Sequence, residues 1–213
     1  MKPTPKDVHH LALAAAAGMS GIALFDAGTK ALTGHYSLFS DDSTFPWAQQ
    51  ASTVVHGLAY LSLIAVLVQH RHRIEGVNRT AGVSFWVVLC SLCVLAVGFL
   101  VLLPFLDPQD MPAVPGGAIG LAFAGMLLGA PVLGIAVRRV PELRPGSLVL
   151  MTMVPILAVT LLLGIVEPRL AHPAYLEAAV AFGVALLGYR GACVPTAGTV
   201  SVGPVSVWER RRS

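Results

Sequence analysis

Between Arg79 and Asp107 the chain carries no charged side chain. An apolar run of this length constrains the fold more than any other feature. About 18 predominantly apolar residues suffice to cross the hydrocarbon core of a bilayer as a helix. Comparable runs recur along the chain, and six spans are expected, at 8–27, 47–69, 82–104, 117–137, 147–166 and 174–190. The first is the weakest, because alanine contributes little transfer energy, and the last is short and holds Glu177 near its start. Charged residues make up only 12% of the sequence and the mean hydropathy is +0.75. Soluble domains carry about 25% charged residues, so this chain has too few to coat a water-soluble globule. The fold class expected is all-α: a polytopic integral membrane protein with a six-transmembrane-helix bundle over 1–190 and a tail over 191–213.

Lysine and arginine set the expected orientation. With the N-terminus inside, the inner segments hold Lys2 and Lys6, then Arg71, Arg73 and Arg79, then Arg138, Arg139 and Arg144, then Arg190 and Arg210 to Arg212. Only Lys30 and Arg169 fall outside. Such an imbalance is what the positive-inside rule produces, and it supports N-in/C-in with a cytoplasmic tail. The basic residues therefore read as topology signals beside apolar spans, and nucleic acid is not an expected partner. The acids lean outward, with Asp26, Asp41, Asp42, Asp107, Asp110, Glu167 and Glu177 at or near the outer face. Arginine far outnumbers lysine, and alanine, valine, leucine and glycine abound. That usage fits a GC-rich bacterial genome, so the expected location is the bacterial cytoplasmic membrane. The N-terminal stretch has the basic start and apolar run of a signal peptide; it is expected to be retained as the first span.

The longest connection, GTKALTGHYSLFSDDSTFPWAQQ, lies in the first outer loop. Its rings at Tyr36, Phe39, Phe45 and Trp47 suit the headgroup level. SDDSTFP reads as a helix start, with a Ser, Asp or Thr cap and Pro46 in the first turn. Pro131 and Pro155 are expected to kink their helices. Small residues recur four apart, as at Gly116/Gly120 and Gly125/Gly129, and permit close helix approach within the bundle or to a homo-oligomeric or other protein partner. The tail alternates around Gly203 and Pro204, a pattern that suits either a small hairpin or a disordered terminus.

One stretch breaks the apolar pattern. QQASTVVHGLAY, Gln49 to Tyr60, opens the second span with Gln49, Thr53, His56 and Tyr60 on one helical face and Ser52 beside it. At 1.5 Å of rise per residue His56 lies about 15 Å below Pro46. A polar stripe at that depth belongs against the bundle interior or a wet cavity, and an ionisable group there is a functional candidate. Interhelical hydrogen bonding is the plainer alternative. Gln49, Thr53, His56, Tyr60 and Trp47 are the expected ligand-binding residues. His56, Glu177 and Asp26 are the candidates for any acid–base chemistry, with Asp42 as a further assisting acid. Lys30, Arg169 and His172 are possible partners of the same region.

Other features read as structural. Cys90 and Cys93 fit CxxC but lie inside an apolar span, where buried cysteine acts as a small hydrophobe; no disulfide framework is indicated. His70 to Arg73, HRHR, reads as a topology signal. His9 and His10 have no matching ligands nearby in the sequence, so no metal site is expected. There is no Walker motif, HExxH helix or G-x-S-x-G elbow. No lysine lies mid-span as a retinal pigment requires, and the paired deep histidines of bis-histidine cytochromes are missing. No cofactor can be named.

The layout of a first span, the polar loop HYSLFSDDS, a second span with a polar start and a last short span HPAYLEAAVAFGVALLGYR resembles the uncharacterised six-span membrane protein families common in actinobacteria. The resemblance covers most of residues 8–190, is topological, and implies no activity or site. The expected function is to bind a membrane lipid or small amphiphile in an outward-facing pocket between spans 1, 2 and 6, or to serve as an accessory subunit. The alternatives are a membrane enzyme acting on a lipid-borne substrate through a His56–Glu177 pair, and a small transporter.

Overall fold

A computed structural model describes residues 5–40, 45–104 and 112–189. Among these the chain is all-helical. The helices are α1 (Pro5–Thr33), α2 (Pro46–Glu75), α3 (Arg79–Val97, continued by a π-helical turn Gly98–Leu102), α4 (Ala113–Val137), α5 (Arg144–Val166) and α6 (Ala174–Ala185). Five of them, α1 to α5, are long and apolar enough to cross a membrane. Asp41, Asp42, Asp107, Asp110 and the tail after Tyr189 lie outside the described residues.

Local chemistry accounts for most helix ends. Gly34 closes α1 at φ +78, a left-handed conformation that glycine adopts without Cβ strain. Pro46 opens α2, where its missing N–H has no helical partner to lose. The N-cap is Phe45, in extended conformation and without a side-chain hydrogen bond, rather than the expected Ser, Asp or Thr. Asn78 caps α3 by accepting from the Ala81 N–H at 2.8 Å. The two internal prolines behave differently. Pro131 is carried inside a continuous α4. Pro155 cannot donate to the carbonyl four residues back, and α5 breaks at Thr152 into Arg144–Met151 and Met153–Val166.

The helices pack in chain order, α1 on α2, α2 on α3, α3 on α4 and α4 on α5. The short α6 then packs against α1, α2, α4 and both halves of α5. Nine of its twelve residues are buried. A helix apolar on all sides belongs in a core, and the expected sixth span holds this short helix, which runs from the Tyr60–Glu177 contact to the Ala185 carbonyl that meets His9, buried among α1, α2, α4 and α5. Glycine permits the close fit. A Cβ on Gly146 of α5 would lie 2.3 Å from the Gly183 carbonyl oxygen and 2.5 Å from the Leu187 nitrogen.

The cysteine expectation is revised, and two of the four paired glycines take the first of their two expected uses. Cys90 and Cys93 are exposed on the outer surface of α3 rather than buried. Gly125 and Gly129 face α3 within the same chain, where added Cβ atoms would meet Ser91 Oγ at 2.6 Å and Val88 Cγ2 at 3.0 Å. Their close approach is thus intramolecular, while Gly116 is half-buried and Gly120 is exposed with open space around it.

Candidate functional site

A cavity of about 490 Å³ opens at the end of the bundle that carries the α1–α2 connection. Ile22, Ala23 and Asp26 of α1, Ser52 and His56 of α2, and Glu177 of α6 line it, with Phe99 and Phe123 behind. Tyr36, Phe39 and Ser40 from the connection and His172 and Pro173 before α6 complete the wall. The fold thus gathers two carboxyl and two imidazole side chains from distant parts of the sequence around one space: Asp26, His56, His172 and Glu177.

Each is held differently. His56 is buried, and its Nδ1–H donates to the Ser52 carbonyl at 2.8 Å, since a carbonyl can only accept. In the neutral ring Nε2 is then an acceptor, and it has no partner among the described residues. The π-helical turn at the end of α3 brings Phe99 to stack on His56, with centroids 5.6 Å apart, and to meet Tyr60 edge-on at 5.5 Å. Such turns mostly occur as single-turn insertions in α-helices and are frequent at functional sites. Gly57 lets this turn approach, because a Cβ there would lie 2.4 Å from Leu100 Cγ.

Glu177 is buried and accepts a hydrogen bond from the Tyr60 hydroxyl, tying α6 to α2 at the cavity. Asp26 is equally buried. Its Oδ1 accepts from the Ser37 N–H at 2.7 Å, and its Oδ2 lies 3.5 Å from His172 Nε2. His172 Nδ1 accepts from the Ala174 N–H at 3.2 Å, so both of its ring nitrogens are engaged. Burial lowers the His172 pKa from its ordinary value of 6.5, outweighing the opposing pull of the Asp26 carboxylate. Lys30 donates to the Tyr36 hydroxyl and lies 4.1 Å from the centre of that ring.

The expected site residues distribute unevenly. Asp26, His56 and Glu177 line the same cavity. His56 and Glu177 make no hydrogen bond to each other: each is engaged by another group, Ser52 and Tyr60 respectively. Tyr60 is fully buried and reaches the site through Glu177. Thr53 is buried and bonds back to the Gln49 carbonyl at 2.9 Å. Trp47 is exposed, Gln49 is half-buried, and neither is among the lining residues. Ser52, His172 and Phe99 take their places. His172 was visible as a titratable residue near the last connection. Phe99 had no comparable signal, because an aromatic residue in an apolar run does not announce a π-helical turn.

The opposite end of the bundle holds a second group that the spacing of histidines in the chain did not reveal. His9 Nδ1–H donates to the Ala185 carbonyl at 2.8 Å, and His9 Nε2 lies 3.1 Å from His70 Nε2. Both rings are buried, and His70 Nδ1 has no partner among the described residues. His70 is therefore a helix-packing residue of α2 in addition to its place in the basic run. Among the described residues no group of three or more His, Cys, Asp and Glu is placed to hold a metal ion.

The chain matches no protein-family model, no curated protein and no solved structure.

Proposed function

We propose that this multi-pass membrane protein binds a lipid or small amphiphile in the cavity between α1, α2 and α6, with the N-terminus and the tail on the cytoplasmic side of a bacterial plasma membrane. The observation that carries the reading is the cavity itself: buried polar side chains and aromatic walls surround one space at a helix-bundle end, the usual makeup of a small-molecule site. His56 Nε2 has no hydrogen-bond partner among the described residues, and Ser52, Asp26, His172 and Glu177 supply the remaining polarity. The orientation rests on the segregation of lysine and arginine.

Native mass spectrometry of the gently solubilised protein, with lipid analysis of the same sample, tests this. A stoichiometric small-molecule adduct is expected in the wild type, reduced at least several-fold in His56→Ala. Equal retention in both would remove His56 from the site. A co-purifying polypeptide in place of the adduct would favour an accessory subunit. An enzyme reading has one observation in its favour: His56 Nε2, without a partner among the described residues, lies in a cavity shared with two carboxylates. It requires a substrate or water to bridge His56 to Glu177, since the two side chains are not hydrogen-bonded.

A further inference from the structure

The charge of the cavity wall narrows the ligand. Two carboxylates, Asp26 and Glu177, line it, and among the described residues no lysine or arginine does. The nearby cation Lys30 is engaged by Tyr36. The hydrogen bonds to Asp26 come from a backbone N–H and an imidazole, and the bond to Glu177 comes from a phenol. None of these donors carries a fixed positive charge. Buried carboxylates without a cation are costly in a membrane, and a bound cation relieves that cost through charge-assisted hydrogen bonds. Phe39 and Phe99 add aromatic surface, which attracts cations through the ring quadrupole. His56 Nε2, on a ring more than nine-tenths buried, is an acceptor suited to an N–H donor. The absence of a three-ligand cluster among the described residues directs the choice away from a metal ion and toward an organic one.

We infer that the ligand of this cavity carries an ammonium group, held between Asp26 and Glu177 and against Phe99. The inference rests on the proposed amphiphile site and specifies its chemistry. An anionic amphiphile would meet two carboxylates in the wall and is disfavoured on the same ground.

The test uses the full chain in micelles of an uncharged maltoside detergent, with dodecylammonium, dodecanol and ethylammonium as probes, read as adducts by native mass spectrometry across a concentration series. One dodecylammonium is expected to bind at least tenfold more tightly than dodecanol, with Asp26→Asn and Glu177→Gln each reducing that preference several-fold. The wild-type comparison stands whether or not the variants fold. Equal binding of dodecylammonium and dodecanol, with both lost in His56→Ala, would overturn the ammonium inference and leave the amphiphile site in place. Failure of both dodecyl probes to bind, or undiminished binding of both by His56→Ala, would overturn the site itself. Ethylammonium distinguishes the sources. Binding comparable to dodecylammonium marks a free amine as the ligand and overturns the amphiphile reading, whereas at least tenfold weaker binding supports an amine-bearing lipid.

Discussion

His172 sits in the connection before α6, in contact with Asp26. Its pKa is lowered because burial disfavours the imidazolium, and Asp26 opposes this without reversing it. The fold therefore binds a proton at His172 less readily than the unfolded chain does. Below pH 6.5, the ordinary value, the unfolded state takes up more protons and stability falls as pH falls. This contribution is fully present above that pH and is lost progressively on acidification toward the folded pKa. Thermal unfolding between pH 8 and pH 5 should show a declining midpoint, and His172→Gln should flatten the decline. A His172→Gln profile parallel to wild type would assign the acid sensitivity elsewhere. At this same scale the sequence was only half legible. The helical spacing of Gln49, Thr53, His56 and Tyr60 identifies a stripe of α2. It does not reveal that Thr53 turns its hydroxyl onto the Gln49 carbonyl, or that Ser52 rather than Gln49 lines the cavity. Those outcomes depend on side-chain rotamers and on what the neighbouring helices bring, and periodicity carries neither.

At the scale of elements, apolar run length identifies helices well, because a backbone in hydrocarbon must satisfy its own hydrogen bonds. It identifies their roles less well. The stretch 174–190 is apolar in the same way as the five long helices, yet α6 stops after twelve residues and is walled in by the others. The sign was its length, together with small residues such as Ala179, Ala181, Gly183 and Ala185. Gly146 makes the consequence testable. Its Cα faces backbone atoms of α6, which cannot step aside as a flexible side chain can. Gly146→Ala should force α5 and α6 apart and destabilise the bundle by about 1–3 kcal/mol. A lowered thermal midpoint in detergent is the expected readout, with Gly120→Ala, in open space, close to wild type. An unchanged midpoint for Gly146→Ala would show that the two helices have room to separate.

For the whole molecule, the proposed orientation predicts which connections meet the outside. In a cysteine-free background, a single cysteine at Pro112 should react with a membrane-impermeant maleimide in intact cells, and one at Glu142 should not. The reverse labelling would invert the bundle and place the cavity on the cytoplasmic side. The bundle also has a dividing layer. Between the Tyr60–Glu177 bond and the His9–His70 pair, α2 contributes Leu63, Val66 and Leu67 and α6 contributes Val180 and Val184, all buried. Such a layer is an electrical insulator. A transmembrane voltage is worth about 2.3 kcal/mol per elementary charge per 100 mV, and that drop is concentrated where polarizable groups and water are scarcest. A cation bound in the proposed cavity would sit on the loop side of that layer, as on the near side of a capacitor's dielectric, and would feel only the part of the drop that lies between the cavity and its mouth.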